Sequence, residues 1–222
     1  MKYKEPFWLL PETETFYTRF KERNQLYEMT KPDWDIANKY IHNKRCVVDV
    51  GGHIGTTALR YANNFEWVYA FEPVYFDLMT QNLSHVDNIQ FFNHALSDGE
   101  SEVSMIEAKG NSGATAILTK ENHDILSKSR LKYQTNRKIK VSTISLDSMM
   151  LKDIDFIKLD TEGFVLPILN GMIETLESND YPPLQIEFNK MCPHKDESEK
   201  FLFDMGYKHV DTFHVDHFYA RV

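Results

Sequence analysis

Apolar and polar positions along the chain alternate between two periods. Residues 45–50 (Arg-Cys-Val-Val-Asp-Val) form a short, nearly continuous apolar run that ends in glycines. This is the pattern of a strand buried in a parallel sheet. Residues 67–71, 89–92, 154–159 and 183–188 repeat it, and 101–106 and 138–144 read as further strands. Helical patterns fall between them, at about 55–63, 75–83, 166–177 and 198–205. Strand and helix alternating over short links imply right-handed βαβ units and a parallel sheet. Residues 207–211 and 214–220 read as a terminal hairpin.

The flanks of this pattern differ from it. Residues 12–29 carry Phe16, Tyr17, Phe20, Leu26 and Tyr27 at roughly helical spacing, and Pro32 opens a second short helix through Tyr40. The reading is a helical extension over 1–44 and one α/β domain over 45–222. Within that domain, 107–136 is weakly periodic and contains Gly110-Asn-Ser-Gly113. A loop-rich stretch of that length inside a compact domain is usually functional, so 107–140 is expected to be an acceptor-side insert or lid.

The totals narrow the classes. The 222 residues suit one large domain, and 15 Phe with 11 Tyr supply a core. Lys and Arg number 25 against 33 Asp and Glu, a net charge of -8, which disfavours a nucleic-acid partner. No run approaches the roughly 20 apolar residues needed to span a bilayer. Two cysteines, Cys46 and Cys192, do not make a disulfide scaffold, so a cytoplasmic location is expected. The sequence does not set an oligomeric state.

The densest chemistry is Val47-Val-Asp-Val-Gly-Gly-His-Ile-Gly55, between a strand and a helix. Gly51, Gly52 and Gly55 allow a sharp turn and close approach of a ligand. A dinucleotide site would want a further glycine where Val50 stands, and Asp49 suits a pyrophosphate poorly. The acid fits a cofactor that carries a sulfonium and an ammonium group. Glu72, at the end of the second strand and followed by Pro73, can accept hydrogen bonds from ribose hydroxyls. These features point to S-adenosyl-L-methionine.

Together with Phe71-Glu-Pro73 and Asn82, Ala95-Leu-Ser-Asp98, Asp155-Phe-Ile-Lys-Leu-Asp-Thr-Glu-Gly-Phe164 and Leu169-Asn-Gly171, the motif resembles the FkbM family of methyltransferases. The Ile157-Lys-Leu-Asp-Thr-Glu-Gly-Phe164 block is the more specific part, and the resemblance runs from about residue 46 to 188. It implies a Rossmann-like class I methyltransferase fold. Such a fold has a mostly parallel seven-stranded sheet, an antiparallel last strand and helices on both faces. It implies a cofactor held by Asp49, Gly51, Gly52, His53, Gly55, Glu72, Pro73, Ala95, Leu96 and Asp160, with Glu72 on the ribose and Ala95-Leu96 beside the adenine. It also implies O-methylation of a sugar, glycan or small metabolite. His53 stands where such sequences usually carry Asn, and Val165 where an acidic or small residue is common.

In-line methyl transfer to an alcohol gains from a general base, which makes Asp160, Glu162 and Glu187, all near strand ends, the candidate catalytic residues. Lys128, Arg130, Lys132, Arg137, Lys138 and Lys140 form a basic run that would attract an anionic acceptor; a solvated strand explains it as well. His209, Asp211, His214, Asp216 and His217 crowd the C-terminus without metal-ligand spacing, so no metal is expected. Three alternatives compete with the main reading. An NAD(P)-dependent oxidoreductase or epimerase lacks a Tyr-x-x-x-Lys pair, since Tyr133 is followed by Arg137. An RNA ribose methyltransferase would use Lys158, Asp160, Glu187 and Lys190, but at a different spacing. A non-catalytic cofactor-binding protein would not need the candidate acids.

Overall fold

The computed structural model describes residues 8–12, 14–19, 23–128, 133–190 and 192–222. Two short helices, α1 (Arg23–Met29) and α2 (Lys31–Ala37), precede the sheet. The βαβ alternation follows: β1 (Cys46–Val50), α3 (Thr56–Ala62), β2 (Trp67–Phe71), α4 (Phe76–Asn82) and β3 (Ile89–Phe92). Next come β4 (Ala95–Leu96), β5 (Ser101–Ala108), β6 (Asn111–Ile117), α5 (His123–Lys128) and β7 (Tyr133–Ile144). The chain then returns through β8 (Ile154–Leu159), α6 (Val165–Asn170), α7 (Ile173–Ser178), β9 (Leu184–Glu187), α8 (Lys195–Asp204), β10 (Lys208–Phe213) and β11 (Asp216–Ala220).

The main sheet has seven strands in the order β3-β2-β1-β8-β9-β11-β10. β1, β2, β3, β8 and β9 pair in parallel, and β11 runs antiparallel to both its neighbours. All six residues of β8 are buried, as a strand covered on both faces requires. Strand alternation divides the core. Val47 and Phe156 pack with α2 and α3 on one face, while Val48, Val50, Ile157 and Leu159 pack with α6, α7 and α8 on the other. Asp49 and Lys158 fall in register across β1 and β8, and Lys158 and Gln185 across β8 and β9. The two-residue period places Asp49 and Lys158 on the α2–α3 face, so a polar row crosses the buried sheet there.

Three expectations need correction. The 107–136 segment is no loop: β6 and the start of β7 join β4 and β5 in a second sheet, ordered β4-β7-β5-β6. Residues 129–132, with Arg130 and Lys132, lie outside the described part. β6 alternates as a strand should, but its buried positions, Ser112, Ala114 and Ala116, are small and give a weak hydrophobic signal. The helix expected over 166–177 is two helices, broken at Gly171, where a Cβ would lie 2.0 Å from the Ser97 carbonyl oxygen. The helix expected over 12–29 is also not continuous. A 3-10 turn at Tyr17–Arg19 comes first, and the Glu14 carboxylate accepts hydrogen bonds from the Phe16 and Tyr17 N–H groups ahead of it.

That N-terminal segment is tied to α4 and to the second sheet. The Leu9 N–H donates to Asn82 Oδ1 at 2.7 Å, and Asn82 Nδ2 returns a bond to the Leu9 carbonyl at 3.1 Å. The Thr15 and Phe16 N–H groups donate to the Gly110 carbonyl, at 3.2 and 3.0 Å. Gly110 thus lies in the turn between β5 and β6 and anchors the segment. Among the described residues, no helix is long and apolar enough to cross a membrane.

Candidate active site

The C-terminal ends of β1, β2 and β8 meet at the glycine turn. Gly51 has φ +85°, and a Cβ there would lie 1.9 Å from the Asp160 carbonyl oxygen. The turn is therefore pressed against the end of β8, and only glycine fits. The Gly51 and Gly52 N–H groups both donate to the Phe71 carbonyl at 3.0 Å, which ties the turn to the end of β2. His53 follows at φ 49°, a left-handed conformation that His, Asn and Asp adopt more readily than other side chains.

Glu72 is buried directly after β2. Its Oε1 accepts from the Val74 and Tyr75 N–H groups at 2.7 and 2.9 Å, and its Oε2 from the His53 N–H at 3.0 Å. Burial raises its pKa, and the three backbone donors oppose that rise. On the other side of the turn, Lys158 Nζ lies 2.8 Å from Asp160 Oδ2 and 3.7 Å from Asp49 Oδ1. Burial works against the lysine charge, but Asp160 and Asp49 outweigh it and hold its pKa above the ordinary value. Asp49 is fully buried, neither carboxylate oxygen has a hydrogen-bond partner among the described residues, and burial pushes its pKa up to about 6.

A cavity of about 230 Å³ opens here. That is roughly fifteen times the space one water needs. Gly51, Gly52, His53, Glu72, Pro73, Ala95, Leu96, Asp160 and Glu162 all line it. Asp49, Gly55 and Glu187 do not. Asp49 sits beneath the turn with Lys158, and Gly55 packs against Leu83. Glu187 is joined to the wall through Asn189, whose Nδ2 donates to Glu162 Oε2 at 2.7 Å and to Glu187 Oε2 at 2.9 Å. Burial, with Asp160 next, pushes Glu162 up to about 8. Glu187 rises for the same two reasons and because Glu162 is close.

The cavity also takes residues that no motif marks. Tyr17 comes from the N-terminal segment, Asp33 and Trp34 from α2, Arg60 from α3, Ser112 from β6 and Asp216 from β11. Burial, then the nearby Asp216, pushes Asp33 up to about 7. Arg60 is engaged already, donating to Thr30 Oγ1 and the Tyr27 carbonyl at 2.6 Å each. In the basic run, Lys140 pairs with Glu102 at 2.6 Å. The C-terminal histidines serve the hairpin: His209 and His217 pack ring to ring at 5.1 Å, and Asp216 accepts from Gln185 Nε2 at 2.9 Å.

The chain is similar to several solved structures. The FkbM methyltransferase from Methylobacillus flagellatus KT aligns with a TM-score of 0.50 at 16% identity, over 80% of this chain and 44% of its own. The chain thus spans less than half the length of that protein. An rRNA methylase from Streptococcus thermophilus aligns at 0.47 and 14% identity, over 83% and 89% of the two chains. A putative methyltransferase from Streptococcus mutans, in complex with SAH, aligns at 0.44 and 9%, over 85% and 94%. No curated protein matches the chain. The methyltransferase FkbM domain matches residues 49–220, from the acid of the glycine turn to the end of the last strand. The chain belongs to the FkbM methyltransferase family.

Proposed function

We propose that this methyltransferase uses S-adenosylmethionine to methylate a hydroxyl of a sugar, glycan or small metabolite. The observation that carries the reading is the lining of one cavity. Glu72 follows β2 on one side of the glycine turn, and Asp160 and Glu162 follow β8 on the other. The donor set fits the cofactor: a carboxylate for ribose hydroxyls, apolar walls at Phe71, Leu96 and Ile168 for a base, and acids for a cationic end. When bound, S-adenosylmethionine supplies a methyl group already activated for in-line displacement.

This chain's residues then hold the acceptor and take its proton. Glu162 is the base in this reading. It lines the cavity, Asn189 fixes its carboxylate, and a pKa near the working pH is what general-base catalysis needs. Asp160 is weaker in that role, because its Oδ2 is already engaged by Lys158 Nζ at 2.8 Å. Glu187 is a positioning residue acting through Asn189. The acids on the wall favour a neutral or cationic acceptor over an anionic one. Turnover of S-adenosylmethionine with a panel of hydroxylated acceptors tests the reading. Release of S-adenosylhomocysteine with one of them, strongly slowed in Glu162→Gln, is expected. Turnover with amines alone would contradict it.

A further inference from the structure

A chain of polar groups leads from the N-terminal segment into the cavity. Glu14 and Ser112 are each 4% exposed, and the Ser112 N–H donates to Glu14 Oε2 at 2.7 Å. The Ser112 hydroxyl donates to the same oxygen. Ser112 Oγ lies 2.8 Å from His53 Nε2. The His53 ring is held between Tyr17 and Tyr75, with centroids 5.2 Å from each.

The protons in this chain can be counted. Burial works to raise the Glu14 pKa, but its hydrogen bonds to Ser112, Tyr17 and Phe16 together hold it below the usual carboxylate range. The carboxylate is therefore ionised and only accepts. The single Ser112 hydroxyl proton then points at Glu14, and Ser112 Oγ accepts from His53 Nε2–H. Burial lowers the His53 pKa to about 4, so the ring is neutral and carries one N–H. Nδ1 is left as a bare acceptor on a cavity-lining ring, without a hydrogen bond among the described residues. It is not among the buried polar atoms left without a partner, unlike Nδ1 of His94 and His217.

The neighbouring acid makes this nitrogen useful. A carboxylate offers about four lone-pair sites, and backbone N–H groups occupy three of those on Glu72. One is left, while a ribose presents two hydroxyl donors. The same residue whose N–H fixes Glu72 carries the spare acceptor. We propose that His53 Nδ1 accepts the second ribose hydroxyl of the cofactor, and that the Glu14–Ser112 chain sets its tautomer. The N-terminal segment is then a working part of the cofactor site. This rests on the proposed use of S-adenosylmethionine.

The test is calorimetry of S-adenosylhomocysteine and its 2′-deoxy and 3′-deoxy analogues with wild type, His53→Phe and His53→Asn. Nitrogen NMR of the His53 ring in wild type and Ser112→Ala accompanies it. His53→Phe is expected to weaken S-adenosylhomocysteine about tenfold, the worth of one hydrogen bond to a buried group. For one deoxy analogue, wild type and His53→Phe should bind alike. His53→Asn, which keeps an acceptor and the left-handed backbone, should recover most of the loss. The ring should carry its proton on Nε2 in wild type and lose that preference in Ser112→Ala. Unchanged affinity in His53→Phe, an equal loss for all three ligands, or a proton on Nδ1 would overturn the inference. Wild type that binds none of the three would instead overturn the cofactor reading beneath it.

Discussion

At the scale of single residues, the site divides into what lies along the chain and what folding brings to it. Gly51, Glu72, Asp160 and Glu162 sit at strand ends in a recognisable order, so their place around one cavity was legible. Glu14, Asp33, Ser112 and Asp216 come from four distant segments and carry no local signal; only the tertiary fold gathers them. Glu162 makes three predictions. Its carboxyl group is neutral below its pKa of about 8 and works as a base only when ionised. Thus kcat/KM should rise as pH increases through about 8. Glu162→Gln should lower kcat by about 10²–10⁴-fold while leaving S-adenosylhomocysteine affinity nearly unchanged, as steady-state kinetics and calorimetry would show. A carboxyl whose pKa is raised on folding favours the folded state at low pH, and that support is lost as pH rises through the folded value. Glu162→Gln, which cannot ionise, should therefore gain thermal stability over wild type at pH 9 and not at pH 4. An equal Tm difference at both would show that folding does not raise the pKa of this residue.

At the scale of elements, the buried parallel strands were readable because their residues are apolar on both faces, and β3 and β8 fall where the pattern places them. β6 was not, since Ser112, Ala114 and Ala116 are buried by neighbours and not by their own hydrophobicity. The break between α6 and α7 was also hidden. Its cause is contact with the loop after β4, far back along the chain, where the Ser97 backbone excludes a side chain at Gly171. Gly171→Ala should cost about 3 kcal/mol or more in denaturant unfolding, at the upper end of overpacking effects. Gly99→Ala, where a Cβ meets nothing within 4 Å, should stay within about 0.5 kcal/mol. Equal effects would contradict the packing described at Gly171.

At the scale of the molecule, the seven-stranded order places the cavity where β2, β1 and β8 end, and the second sheet and N-terminal segment close over it. The sequence separated that segment as an extension, but Tyr17 lines the cavity and Glu14 is bonded into β6. Removing residues 1–19 should lower both Tm and S-adenosylhomocysteine affinity, the latter about tenfold if one hydrogen bond to the ligand is lost with it. Full affinity in the shortened chain would show that the segment only covers the domain. The central claim is the nucleoside cofactor on Glu72. Calorimetry of the full chain with S-adenosylmethionine, S-adenosylhomocysteine and NAD, alongside Glu72→Ala, addresses it most directly. The account predicts binding of the two sulfur compounds, its loss in Glu72→Ala, and no binding of NAD. Binding indifferent to Glu72, or binding of NAD in place of the sulfur compounds, would contradict it.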